Sequence, residues 1–351
     1  MRELRTREAV DPRTIVEERL ESVLGDPEEG ALDAAWARAQ GLVSEFALRP
    51  AKRLRPQLLL EGYRLADPSH VPDGFWTFAT GLEVLHTFML VHDDVADRAG
   101  TRRGGPALHR LLGAGRLGED LAVVAGDHLF AHAVELLFRA ALPTAPAAAS
   151  FYLRVCRQTA VGQYLDLELA ARPWAEVTPF DALKVAELKT AQYTVAAPLA
   201  CGAMLAGAPA PWVETLHRMG RFAGVAFQLH DDLEGIFGDP AASGKPADCD
   251  LRECKKSFPL ILAYRRATAS ERTRIERLGA TSTPEDVALV REIVRRRGGV
   301  TATQRAIDRV LGAARGALEA GGLPPDRAAA VRALLARFIP GGVATPERID
   351  S

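Results

Sequence analysis

Residues 82–97 read LEVLHTFMLVHDDVAD, and this stretch decides the fold class. Its apolar residues recur at helical period, with no alternation of the kind a half-buried strand requires. The run predicts part of a helix over about 74–98 that ends in acid. On that helix Asp93 and Asp97 are i,i+4 and Asp94 and Asp97 are i,i+3, so three carboxylates line one patch. Like charges so close raise one another's pKa and strain the helix. A divalent cation removes that strain, and oxygen-only ligands suit Mg²⁺, which commonly binds through one or two carboxylates plus substrate phosphates.

Outward from this helix the pattern repeats. Helical periodicity predicts further helices at about 13–25, 30–47, 52–66, 118–140, 148–171, 179–206, 211–236, 257–268, 284–297, 301–320 and 325–338, separated by Pro- and Gly-bearing breaks. Two longer polar loops cover 99–117 and 237–254. No linker separates two domains, so residues 1–351 read as one large all-α bundle. Residues 226–232, AFQLHDD, echo the first acidic helix end. Asp231 and Asp232 follow an apolar lead-in, with Gln228 one turn before Asp232. Two such helices facing a central cavity would present two carboxylate clusters to one ligand.

Composition bounds what that ligand is. The 351 residues carry a net charge of −1, which argues against nucleic acid binding over a broad surface and confines any phosphate chemistry to a local pocket. The four cysteines are too few and too irregular for a disulfide framework. The N-terminal residues lack the apolar core of a signal peptide. No segment has the roughly 18 uninterrupted apolar residues of a membrane span. These features together predict a cytoplasmic protein.

The basic residues are dispersed but suggestive: Lys52, Arg53 and Arg55 in AKRLRP, Arg102 and Arg103 in TRRGG, then Lys189, Lys245 and Lys255. Beside two acidic clusters they suggest metal-bridged diphosphates ringed by direct Arg and Lys contacts. His86 lies seven residues before Asp93, two turns away on the same face.

In order along the chain, AKRLRP, LEVLHTFMLVHDDVAD with TRRGGPALH, GQYLDL, LKTAQY, AFQLHDDL and GKPADCDLRECKKSFP resemble the motifs of the polyprenyl (trans-isoprenyl) diphosphate synthase family. The likeness runs from about Lys52 to Pro259 and is closest to the short-chain farnesyl and geranylgeranyl types. It implies a helical isoprenoid-synthase fold, usually homodimeric. It also implies that Asp93, Asp94 and Asp97, with Asp231 and Asp232, hold three Mg²⁺ ions against an allylic diphosphate. Arg102, Lys189 and Lys245 would contact that diphosphate, and Lys255 would add a further phosphate contact. Lys52, Arg55, His86 and Arg103 would bind isopentenyl diphosphate, and Lys189, Thr190 and Gln228 would lie near the developing allylic cation. Gln163 and Asp166 are implied as supporting positions or ligands.

Three residues depart from the family pattern. Ala51 replaces a glycine, Gly235 stands where a third aspartate is usual, with Asp239 or a water to compensate, and Cys254 replaces a glycine before Lys255.

The resemblance implies head-to-tail condensation of isopentenyl diphosphate with an allylic diphosphate. Phe88 and Met89 lie about 7.5 and 6 Å before Asp93 along the helix axis. Bulky side chains there would floor the tail cavity, and by resemblance a phenylalanine five residues upstream with no insertion in DDVAD implies a C15 to C20 product, leaning to C20. The competing readings are a terpene cyclase on the same scaffold, a non-catalytic regulatory subunit and a phosphohydrolase using His-Asp doublets. A cyclase has no use for Lys52, Arg55, His86 and Arg103, and a regulatory subunit has no use for a complete first acidic cluster. The phosphohydrolase would need further histidines at metal-ligand spacing, which the chain lacks.

Overall fold

The computed structural model describes residues 11–238, 249–253, 255–279 and 281–338. Asp239, Lys245 and Cys254 lie outside them. The described residues form an all-α protein, with one short hairpin as the exception. Two compact units can be distinguished, one of Met1–Leu60 with Ser69–Ala149 and the other of Glu61–Pro68 with Ser150–Ser351.

The first unit contains α1 (Pro12–Leu24), α2 (Pro27–Gly30), α3 (Ala34–Leu48), the start of α4 (Leu54–Ala66), α5 (Asp73–Ala96), α6 (Leu108–Leu112) and α7 (Gly115–Arg139), and it ends within α8 (Ala145–Ala171). Its centre is α5, where Phe75, Phe78, Leu82 and Leu85 are almost completely shielded from solvent. Each such side chain contributes about 1.5–3 kcal/mol by leaving water. α7 packs along α5: Phe88 lies 5.2 Å from Phe130, and His92 fits over Gly126. By length and composition α7 is also apolar enough to cross a membrane, with Leu117, Val124 and Phe138 exposed. Between α5 and α6 the chain makes the hairpin, pairing Thr101 with Pro106 and Arg102 with Gly105.

The second unit holds the rest of α4 and α8, then α9 (Pro179–Val185), a π-helical segment (Ala186–Ala196), α10 (Ala197–Leu205) and α11 (Ala210–Phe237). Beyond these come α12 (Cys249–Arg252), α13 (Phe258–Arg266), α14 (Ala269–Glu276), α15 (Pro284–Arg296), α16 (Gly299–Glu319) and α17 (Pro325–Phe338). A capping box starts α9, where Thr178 and Asp181 satisfy each other's backbone N–H groups. The periodicity-derived helix at 179–206 is therefore one rod in three pieces. In its middle the hydrogen bonds run i→i−5, as in the bond from the Ala197 N–H to the Gln192 carbonyl. The next donor in that register would be residue 198, a proline with no N–H. The Tyr193 carbonyl it leaves open accepts from the buried Tyr152 hydroxyl at 2.9 Å.

Candidate active site

The first acidic cluster closes α5. Asp94 is completely buried, Asp93 is half-buried and Asp97 is the exposed C-cap residue. Arg102, reaching back from the hairpin, donates Nε–H to Asp94 Oδ1 at 2.7 Å and touches Asp93 Oδ2 at 3.4 Å. The other Asp94 oxygen, Oδ2, is buried with no hydrogen-bond partner. Burial raises the Asp94 pKa, and Arg102 opposes that rise. A buried carboxylate with an unserved oxygen is a costly arrangement in isolation, and a hard cation relieves it.

A basic cluster surrounds the same region of the first unit. His86 is held well below its usual pKa, first by desolvation and then by Arg55, Arg103, Arg102 and Arg53, so its imidazole is neutral at pH 7. Desolvation also lowers Arg103, to about 10, while Glu83 pulls the other way. Lys52 is exposed and Arg55 is buried. Arg53, grouped from sequence with the diphosphate-facing cations, is instead fully buried and paired with carboxylates, and Glu83 had no role from sequence. The Arg53 side chain, fully buried, donates to Glu83 Oε2 at 3.2 Å, Glu17 Oε1 at 3.1 Å and the Ala47 carbonyl at 2.9 Å. The available signal for Glu83 was an acid set within an apolar run three residues before His86.

In the second unit Asp232 is buried near the end of α11. Its Oδ1 accepts from Gln228 Nε2 at 2.8 Å and lies 3.7 Å from Lys255 Nζ, and its Oδ2 accepts the Phe258 N–H at 3.3 Å. Asp231, beside it, is half-buried. Lys189 and Thr190 sit in the π-helical segment, and Lys189 Nζ donates to Asp166 at 2.7 Å. Gly162 makes that pairing possible, because a Cβ there would lie 2.3 Å from the Lys189 backbone nitrogen. Gly162→Ala is therefore expected to cost at least ~2 kcal/mol of stability, since backbone rather than a flexible side chain must give way. A drop in urea midpoint at unchanged m-value checks it.

Within each unit the structure thus brings predicted residues together: Asp93, Asp94 and Arg102; His86 with the arginines; Asp166 with Lys189; Gln228, Asp232 and Lys255. Asp97 is the exposed C-cap of α5 and Lys52 is exposed, while Lys245 lies outside the described residues. Among the described residues no three His, Cys, Asp or Glu side chains converge to enclose a metal ion. Asp93 and Asp94 still fit a hard divalent ion that keeps coordination sites for phosphate oxygens.

Residues 39–296 match the family model described as Polyprenyl synthetase. A geranylgeranyl diphosphate synthase of Mycobacterium tuberculosis is 36% identical over 251 residues, covering 71% of this chain and 69% of that protein. A (2E,6E)-farnesyl diphosphate synthase of Mycobacterium bovis is 35% identical over 255 residues, covering 71% and 68%. The crystal structure of geranylgeranyl pyrophosphate synthase from Corynebacterium glutamicum, complexed with isoprenyl diphosphate and magnesium, has a TM-score of 0.85 at 31% identity, over 94% of this chain and 98% of that one. The chain belongs to the polyprenyl synthetase family and is a trans-prenyltransferase.

Proposed function

We propose that this enzyme condenses isopentenyl diphosphate head-to-tail with an allylic diphosphate, yielding a C15 to C20 prenyl diphosphate, with C20 the favoured length. The observation that carries the reading is Asp94, buried at the end of an apolar helix with Arg102 on one oxygen and nothing on the other. Asp93, Asp94, Asp97, Asp231 and Asp232 would hold Mg²⁺, three ions by the family pattern, which supplies the charge neutralisation a leaving diphosphate needs. Arg102, Lys189, Lys245 and Lys255 bind and orient that diphosphate. Lys52, Arg55, Arg103 and neutral His86 hold isopentenyl diphosphate; Lys189, Thr190 and Gln228 lie near the allylic cation, to which Thr190 and Gln228 offer side-chain oxygens. The apolar wall of α5 keeps water from quenching it.

The protein acts in the cytoplasm as a homodimer. The exposed apolar side chains of α7 support the dimer, and we read α7 as a packed helix rather than a membrane span.

The test is product analysis with Mg²⁺, isopentenyl diphosphate and each of the C5, C10 and C15 primers. Elongation that needs both substrates and stops on chelation is the expected result. Products formed from an allylic diphosphate alone would identify a cyclase instead.

Phe88, edge-on to His92 at 4.7 Å and tilted against Phe130 at 5.2 Å, is the proposed floor of the tail cavity. Phe88→Ala is expected to shift the main product to C25 or longer, and an unchanged chain-length profile by liquid chromatography discards that role.

A further inference from the structure

The hairpin that carries Arg102 and Arg103 is held in an unfavourable shape. Its two-residue turn, Arg103-Gly104, has positive φ at both positions, 51° and 74°. That is the primed turn geometry that suits Asn-Gly or Gly-Gly, and for a long side chain such as Arg the left-handed region costs roughly 1–2 kcal/mol. Paired strands of two residues cannot offset that cost alone.

What fastens the hairpin is Arg49, just past the end of α3. Its side chain is 8% exposed. One guanidinium nitrogen, Nη1, donates to the Arg102 carbonyl at 3.0 Å and to the Pro106 carbonyl at 2.7 Å, so it grips both strands at once. Nε donates to Glu45 at 3.1 Å, and the guanidinium carbon sits 5.2 Å from the centre of the Phe46 ring. Gly105 leaves room for this: a Cβ at that position would lie 2.7 Å from Arg49 Cζ. The neighbouring backbone is tied in as well, since the Arg49 carbonyl accepts from Arg53 at 3.4 Å and the Ala47 carbonyl from Arg103 at 3.4 Å.

We infer that Arg49 is a positioning residue for diphosphate binding: touching no substrate, it clamps the strained hairpin so that Arg102 and Arg103 arrive oriented. This rests on the reading of those two arginines as diphosphate ligands. A flexible hairpin would place the same charges but would have to be ordered at each binding event, which weakens apparent affinity.

The experiment compares wild type, Arg49→Met, Arg49→Lys and Gly105→Ala. Steady-state kinetics with isopentenyl diphosphate and an allylic primer are read beside hydrogen–deuterium exchange of residues 100–107 without ligand. Arg49→Met is expected to raise the KM for isopentenyl diphosphate about tenfold, with a much smaller change in kcat, and to speed hairpin exchange at least tenfold. Arg49→Lys, whose ammonium serves fewer acceptors than the fork, falls between. Gly105→Ala, which pushes the guanidinium aside while leaving Arg49 in the sequence, reproduces the Met variant. A purely structural role lowers the melting temperature and kcat together at constant KM, and that pattern, or unchanged exchange and KM, overturns the inference. Should wild type itself fail to elongate a primer, the proposed function falls, and the exchange experiment still reads whether the clamp exists.

Discussion

Asp94→Asn is expected to lower kcat/KM by ~10³-fold or more while leaving the fold at least as stable as before. The activity loss follows from the proposed chemistry. A metal held by Asp94 would stabilise charge developing on the leaving diphosphate, and removing a central electrostatic element commonly costs two to three orders of magnitude or more. The stability half follows from linkage. Burial raises the folded-state pKa of Asp94 above its unfolded value. The folded protein then binds more protons than the unfolded chain between those two values, so ionising Asp94 costs stability as pH rises through that window. Asn keeps the shape, never ionises, and can still accept from Arg102. A variant that melts no lower yet scarcely turns over marks Asp94 as kept for chemistry. Activity within tenfold of wild type, measured at saturating Mg²⁺, would remove Asp94 from the proposed metal site.

Glu83→Gln should be the most damaging conservative change to stability, at about 3–5 kcal/mol. Glu83 is 1% exposed and pairs with Arg53, whose side chain is fully buried. Arg55, Arg102 and Arg103 belong to the same electrostatic neighbourhood, since all three bear with Arg53 on His86. An amide of the same size removes the negative charge from among them, and among the described residues Arg53 keeps the half-exposed Glu17 as its ionic partner. Breaking one side of a buried pair leaves the other charge desolvated and uncompensated. Chemical denaturation should show a fall in midpoint at nearly constant slope. A change below about 1 kcal/mol, the range of exposed pairs, would mean that Glu83 is not the counter-charge of this cluster.

Helices were the legible part of this chain. Apolar periodicity over long windows placed α5, α8 and α11 to within a few residues, because tertiary burial imposes that period directly. α14, with the polar sequence ASERTRIE, shows no apolar stripe, and only its Thr268–Glu271 capping box marks it. The carboxylate pairs were legible because an Asp doublet after an apolar run is unusual, but their inequality was not. Asp94 is buried and Asp97 is an exposed cap, and that difference depends on neighbours far along the sequence. Arg49 is the clearest case of what patterns conceal. In Leu48-Arg49-Pro50 it reads as a loop charge, and the hairpin carbonyls it serves lie more than fifty residues away. The π-helical run AELKTAQYTVA has an ordinary helical composition, with Pro198 as the faint local clue.

That π-helical run has a bearing on how this enzyme can diverge. Along an α-helix each residue turns the rod by roughly 100°, so losing a single position between Val185 and Ala197 would swing one end of the rod about a quarter-turn against the other. A point substitution leaves that phase untouched. The number of residues in the segment is therefore a coordinate of Lys189 and Thr190 in its own right, and a change in its length would displace them even where every side chain is kept.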